Sequence, residues 1–378
     1  MMKRILALSL VAAAVSSSVH ADVRINGFAN LIGGITSSDD TLYGYDDNIG
    51  FGEESLFAIQ VSGDINDRMT ATGQLVARGS DDYEVDFEWA YLTFEATDNT
   101  NISAGRFRLP LFRYSASLDV GYSYHWVNAP RSVYSVPFNN LDGLRVDYSN
   151  YAGDWEYNLQ LSAGTIDNDF TTAGQDANFK GDNVIVLSAE AQYEALKLRG
   201  VIGRAKSTVD VPALAPAIGQ LRSISPELAD LVEFEDDTGE FLGFGVEYDA
   251  FDWFVSAEVT SIEATDSYNP DTIAYYATAG IRYGKWTPSL TYEATDADDG
   301  PKLLDRVAGF PAPFQGPLTQ LLVGIQQSFV EKNDTITAGV RYDYDTNVAF
   351  KADVSKYTDD IDESSDATLV RFAVNYVF

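Results

Sequence analysis

His125 is the one histidine beyond the first 21 residues, and the chain has no cysteine. A Ser-His-acid hydrolase would have to use His125, yet its neighbourhood, Tyr122-Ser-Tyr-His-Trp126, holds no Gly-x-Ser-x-Gly elbow. One histidine without thiols supplies no zinc-type ligand set. Carboxylates are abundant, but no pair stands out for acid–base work on a glycosidic bond. These absences argue against an enzyme and call for no metal or cofactor. What remains are guanidiniums: Arg108, Arg113 and Arg131, with Asp119, lie between Phe107 and Asn140 among Tyr114, Tyr122, Tyr124, Trp126 and Tyr134. Pro110, Pro130 and Pro137 stiffen that stretch. It has fewer acids and more aromatics than the other long connections, which marks it for burial.

The whole chain has 378 residues and a net charge of -32, so nucleic acid would be repelled. Met1 to Ala21 reads as a secretory signal peptide: Lys3 and Arg4, an apolar run Ile5 to Val15, then Val19-His-Ala21 before the cleavage point. The mature chain then starts at Asp22 and forms a single domain, 22–378. Its apolar runs are too short for a membrane helix, which needs about 18 consecutive apolar residues or more. Export without cysteine leaves a large core or a closed hydrogen-bonded sheet to supply stability.

From Asp22 onward, runs of about ten residues alternate apolar with polar. Trp155, Tyr157, Leu159, Leu161 and Ala163 oppose Glu156, Asn158, Gln160 and Ser162, and the same alternation recurs at 253–260 and 335–342. About sixteen such runs are joined by connections that alternate between short and long, the pattern of outer-membrane barrels. Short turns fall at 64–67, 97–100, 150–154, 194–195, 249–252, 284–285 and 345–347; long loops fall near 36–47, 79–84, 107–140, 165–182, 207–238, 262–271, 296–333 and 358–367. The predicted fold is an all-β transmembrane antiparallel barrel. Beside the short turns sit Tyr148, Trp155, Tyr193, Tyr248, Trp253, Tyr283, Trp286, Tyr342 and Tyr344, as an interfacial girdle requires. Acidic runs such as Asp359 to Asp366 belong to the loops, where they solvate the surface or meet lipopolysaccharide through divalent cations.

In a barrel the lumen is the one wet interior, so ionisable residues on the inward parity are candidate pore lining. The basic set is Arg68, Arg78, Arg145, Arg282, Arg341, Lys351 and Arg371. The acidic set is Asp86, Glu88, Asp147, Glu156, Glu258, Glu293 and Asp353.

The final segment, Thr368 to Phe378, alternates Val370, Phe372, Val374, Tyr376 and Phe378 and ends on an aromatic. With Ala90-Tyr-Leu-Thr-Phe followed by Ile102-Ser-Ala-Gly-Arg-Phe-Arg-Leu-Pro110, this resembles the Gram-negative porin family over the whole mature chain. The resemblance implies a trimer of 16-stranded barrels. It implies a third loop folded into the lumen, and a last residue, Phe378, read by the insertion machinery. It also implies a constriction drawing on Arg106, Arg108, Arg113, Asp119, Arg131 and Arg145. Alternation counted from outward Ile102 and Ala104 points Arg106 at lipid, unless a bulge at Gly105 resets the parity. The function expected is passive diffusion of ions and small hydrophilic solutes through the outer membrane. A substrate-selective channel for sugars or organic acids is the alternative, followed by a plugged structural or adhesive barrel.

Overall fold

Two-residue periodicity becomes sixteen antiparallel strands, each hydrogen-bonded to its sequence neighbours and closed by β1 against β16. The computed structural model describes residues 22–38, 42–172, 175–230, 232–265, 267–302 and 304–378; the expected signal segment, 1–21, lies outside the described residues. In order the strands are β1 (Val23–Thr36), β2 (Leu56–Asn66), β3 (Met69–Arg78), β4 (Val85–Thr97), β5 (Thr100–Arg108), β6 (Asn140–Ala152), β7 (Trp155–Thr172) and β8 (Gln175–Tyr193). They continue as β9 (Leu196–Asp210), β10 (Phe234–Asp249), β11 (Trp253–Thr265), β12 (Thr272–Ile281), β13 (Trp286–Ala297), β14 (Lys332–Asp345), β15 (Val348–Asp359) and β16 (Ala367–Val377). Closure matters because an unpaired backbone N–H or C=O in hydrocarbon costs several kcal/mol, roughly the net worth of several ordinary hydrogen bonds.

The seam is specific. Phe28 to Thr36 pair with Val377 to Leu369, and Gly27 exchanges backbone bonds of 2.9 and 3.0 Å with Phe378. A Cβ on Gly27 would strike the Phe378 ring, so glycine there lets the terminal aromatic lie across the seam. That ring stacks on Phe57 and Tyr376, at 6.2 and 5.5 Å between centroids.

Outward positions carry exposed apolar side chains such as Leu31, Leu144, Ile202, Leu242 and Ile273, a surface that suits lipid. Near the short turns Trp155–Tyr193, Tyr248–Trp253 and Trp286–Tyr342 pair at 5.3, 5.4 and 4.5 Å, and Tyr151 and Tyr283 stand exposed beside them, forming the girdle.

Three of the long connections differ from the sequence expectation. The stretch 165–182 is mostly strand: β7 and β8 run past a register irregularity at Gly164/Ile166 and pair out to Thr172 and Gln175. Its alternation is weak because no lipid face constrains it beyond the bilayer. The loops 211–233 and 298–331 contain helices, Ala215–Ile224, Pro226–Asp230, Leu304–Val307 and Ala312–Gln327. Val232, Val307, Leu318 and Leu322 from both loops share one small core. The spacing of Leu318, Leu322 and Ile325 and the proline in the first turn are the helical signals in the sequence.

Candidate functional site

The third long loop, residues 109–139, lies inside the barrel and is bonded to its wall around most of the circumference. On β1, Asn30 Nδ2 donates to Asp119 O at 2.8 Å. Arg199 of β9 donates to Pro110 O, and Glu258 of β11 accepts from the Arg113 N–H and the Tyr134 hydroxyl at 3.0 and 2.7 Å. His125 meets Thr278 of β12, Trp126 Nε1 donates to Thr291 of β13 at 2.8 Å, and the Ser132 N–H donates to Glu293. Arg341 of β14 donates to Tyr122 O and Tyr124 O, and Lys351 of β15 donates to Gly121 O and Trp126 O. Gly121 is pressed so closely to Asn30 and Asn375 that a Cβ would displace them. Because the loop's carbonyls are buried, these wall cations satisfy acceptors that would otherwise cost about 1–3 kcal/mol each.

Two charge clusters pin the loop. In the first, Glu88 of β4 accepts from Arg78 and Arg108, both at 2.8 Å, and from Asn140; the same two arginines pair with Asp119. Burial would raise the Asp119 carboxyl, but Arg108 and Arg78 together hold it below its ordinary value. In the second, Glu54, from the loop between β1 and β2, accepts from Arg131 at 2.8 Å, Asn128 at 2.8 Å and Arg371 at 3.1 Å. Burial opposes ionisation of Glu54 most strongly, and Arg371 and Arg131 overcome it, lowering the carboxyl to about 2. Arg371 is shared with Asp353 at 2.9 Å. Glu54 has no strand periodicity around it, so parity counting passes over it; its signal is only an acid in a loop facing an excess of inward arginines. His125 is held well below its ordinary value by burial first and then by Lys351, Arg113, Arg341 and Arg282.

Arg113 pairs with Glu247, Arg145 pairs with Asp147 at 3.0 Å and lies over Phe107, and Arg282 makes a two-pronged pair with Asp249 at the short-turn end. Asp86 faces the same way as buried Val76 and is exposed near the long-loop end of β4. Two expected pore residues stand elsewhere. Arg106 is not in the constriction: β4, β5 and β6 pair without interruption through Gly105, so no bulge resets parity. Arg106 stays on the outward parity and forms a two-pronged pair with Asp142, at 2.9 and 2.6 Å. Gly105 has φ +131°, and a Cβ there would meet Ala90 O; the glycine serves the close strand approach, not the aim of its neighbour. Arg68 lies in the turn between β2 and β3, exposed, not on the lumen wall.

Below the loop, toward the short-turn end, is a polar cavity of about 440 Å³ between residues 107–116 and strands β4 to β9. Arg108, Arg113, Arg145 and Arg199 line it with Glu190, Asn158 and Gln160. Arg199 was not on the list drawn from parity; among the described residues it has no ion-pair partner. Among the described residues, no group of three or more acidic or histidine side chains is placed to hold a metal ion.

A wall of sixteen strands with a lipid-facing exterior, a charged interior and a loop bonded across it defines an outer-membrane channel. The Gram-negative porin family model matches residues 7–378, and the chain belongs to that family. No curated protein sequence matches it. Among solved structures it is similar to the outer-membrane channel DcaP of Acinetobacter baumannii, at 12% identity and TM-score 0.60 over 96% of this chain and 99% of that one. It is similar also to an anion-selective porin from Comamonas acidovorans (12%, 0.59, 95% and 100%) and to the trimer form of OmpT, an outer membrane protein of Vibrio cholerae (12%, 0.53, 94% and 99%). At such identities the likeness is one of fold.

Proposed function

We propose that the barrel is a passive diffusion channel, not an enzyme, with weak cation preference, passing ions and small hydrophilic solutes around the third loop. The observation that carries the reading is charge pairing at the constriction. Arg108, Arg113, Arg131 and Arg145 are each engaged by a carboxylate. Their fields at the lumen axis are therefore largely cancelled at short range, whereas the long loops hold runs of acids at the mouth, such as Asp359 to Asp366. Surface carboxylates concentrate cations there, and salt screens them within about 8 Å at physiological ionic strength. Single-channel recording in planar bilayers tests the reading: a stable ohmic conductance supports it, and a barrel that inserts without conducting contradicts it.

The mature protein is proposed to begin at Asp22 and to assemble as a homotrimer, supported by the family and by the trimeric form of the Vibrio protein. Lipopolysaccharide contact through divalent cations on the acidic loops belongs to the same proposal. Sedimentation of the detergent-extracted protein at one barrel mass would contradict the trimer.

A further inference from the structure

The lumen wall is not uniformly polar. From β13 through β16 to β1, inward positions carry Thr291, Glu293, Thr337, Lys351, Asp353 and Asn375. Among the inward, buried positions of β7 to β10, Ile166, Phe179, Val184, Val186, Val201 and Phe241 form an apolar group beside polar neighbours such as Ser162, Ser188, Arg199 and Ser207. Water-filled barrels keep the interior polar, since apolar area facing water costs about 25 cal/mol per Å². Part of this apolar wall packs on the third loop, as where Phe241 meets Phe112 at 5.7 Å. Yet packing does not consume it. Above the loop, toward the long-loop end, there remains a cavity of about 380 Å³ lined by Leu109, Leu111, Val136, Phe138, Phe179 and Phe241. Phe138 and Phe179 stack at 4.8 Å on one side, and Phe329 and Tyr268, from the long loops, meet at 5.7 Å on another.

We infer that this chamber is a binding site for an uncharged organic solute with an aromatic or branched aliphatic body. The volume falls in the range of small-ligand pockets, and the enclosure within the barrel excludes a macromolecule. Its uncharged polar groups include Ser132, Ser207, Asn269 and Thr295, and its charged ones are Arg131, Arg204, Glu240, Glu263 and Glu331. Among the described residues no unpaired cation serves it: Arg131 is committed to Glu54, and Arg204, though part of the lining, stands on the outward parity of β9 and pairs with Glu240 at 3.8 Å. Glu331, also in the lining, is raised by burial first and then by Asp359, a setting that disfavours an anion. The site makes the channel one that retains apolar solutes on the way to the polar cavity beneath, and it rests on the reading of the lumen as a solute path.

Calorimetry on the detergent-folded protein with 2-phenylethanol, erythritol and benzoate tests it, with bilayer conductance measured on the same preparation. Saturable binding of 2-phenylethanol, none of erythritol and weaker binding of benzoate are expected. Phe241→Ser should weaken 2-phenylethanol binding about tenfold. Ala205→Trp, which fills the chamber without removing apolar surface, should abolish it while heat-modifiable mobility shows both variants folded. A conducting protein that does not bind 2-phenylethanol, binds benzoate more tightly, or binds 2-phenylethanol unchanged in folded Ala205→Trp overturns the site and leaves the channel. Binding without conductance overturns the channel reading and leaves the site.

Discussion

A carboxylate as deeply buried as that of Glu54 stays ionised because Arg131 and Arg371 face it. Glu54→Gln leaves both guanidiniums with a weaker partner. Breaking a buried pair from one side typically costs about 3–5 kcal/mol, reduced here because Arg371 keeps Asp353. The expected result is a lower unfolding temperature on heat-modifiability gels, with the barrel still assembled. The sign with pH follows from the depressed carboxyl: its contribution is fully present above the unfolded value near 4.3 and is lost as pH falls through about 2. Wild type should therefore shed stability in that window, and Glu54→Gln should shed less, as read by tryptophan fluorescence. Arg106 makes the opposite case. Because it pairs with Asp142 on the outward parity, Arg106→Ala should leave conductance and reversal potential unchanged, whereas Arg199→Ala, removing an unpaired cation from the polar cavity, should shift reversal potential toward cations.

At the scale of elements, the third loop is held across the lumen by side chain to carbonyl bonds together with the charge clusters at Glu88 and Glu54. Lys351→Met leaves Gly121 O and Trp126 O without their donor, at about 1–3 kcal/mol each, so the middle of the loop should loosen. Single-channel records should show larger, noisier current than wild type; identical traces would mean that Arg341 and Asn30 suffice. Strands were legible in the sequence because lipid on one face and lumen on the other enforce alternation, and the short turns fall where the turn residues placed them except the first, which lies at 67–68 instead of 64–67. The helices Ala215–Ile224 and Ala312–Gln327 were not, since they pack on each other in loops where no bilayer sets the pattern. Of the residues that strand parity set inward, Arg78, Glu88, Arg341, Lys351, Asp353 and Arg371 face the lumen. Arg106 and Arg68 were misplaced by a dipeptide resemblance and a turn boundary. Glu54 belongs to a loop whose fold is decided by distant arginines.

For the whole molecule, closure and charge distribution decide behaviour. Phe378 exchanges backbone bonds with Gly27 and stacks on Phe57 at the seam, so its removal should impair assembly far more than replacement of the exposed loop acid Glu363. Outer-membrane yields compared on immunoblots check this, and equal yields would contradict it. The central claim, that paired arginines leave an acidic mouth to set a modest selectivity, is tested most directly by the reversal potential in a potassium chloride gradient at two mean salt concentrations. A small cation-selective potential that shrinks as salt rises is the predicted result; a strong anion-selective potential persisting in high salt would show that the arginines rule the pore.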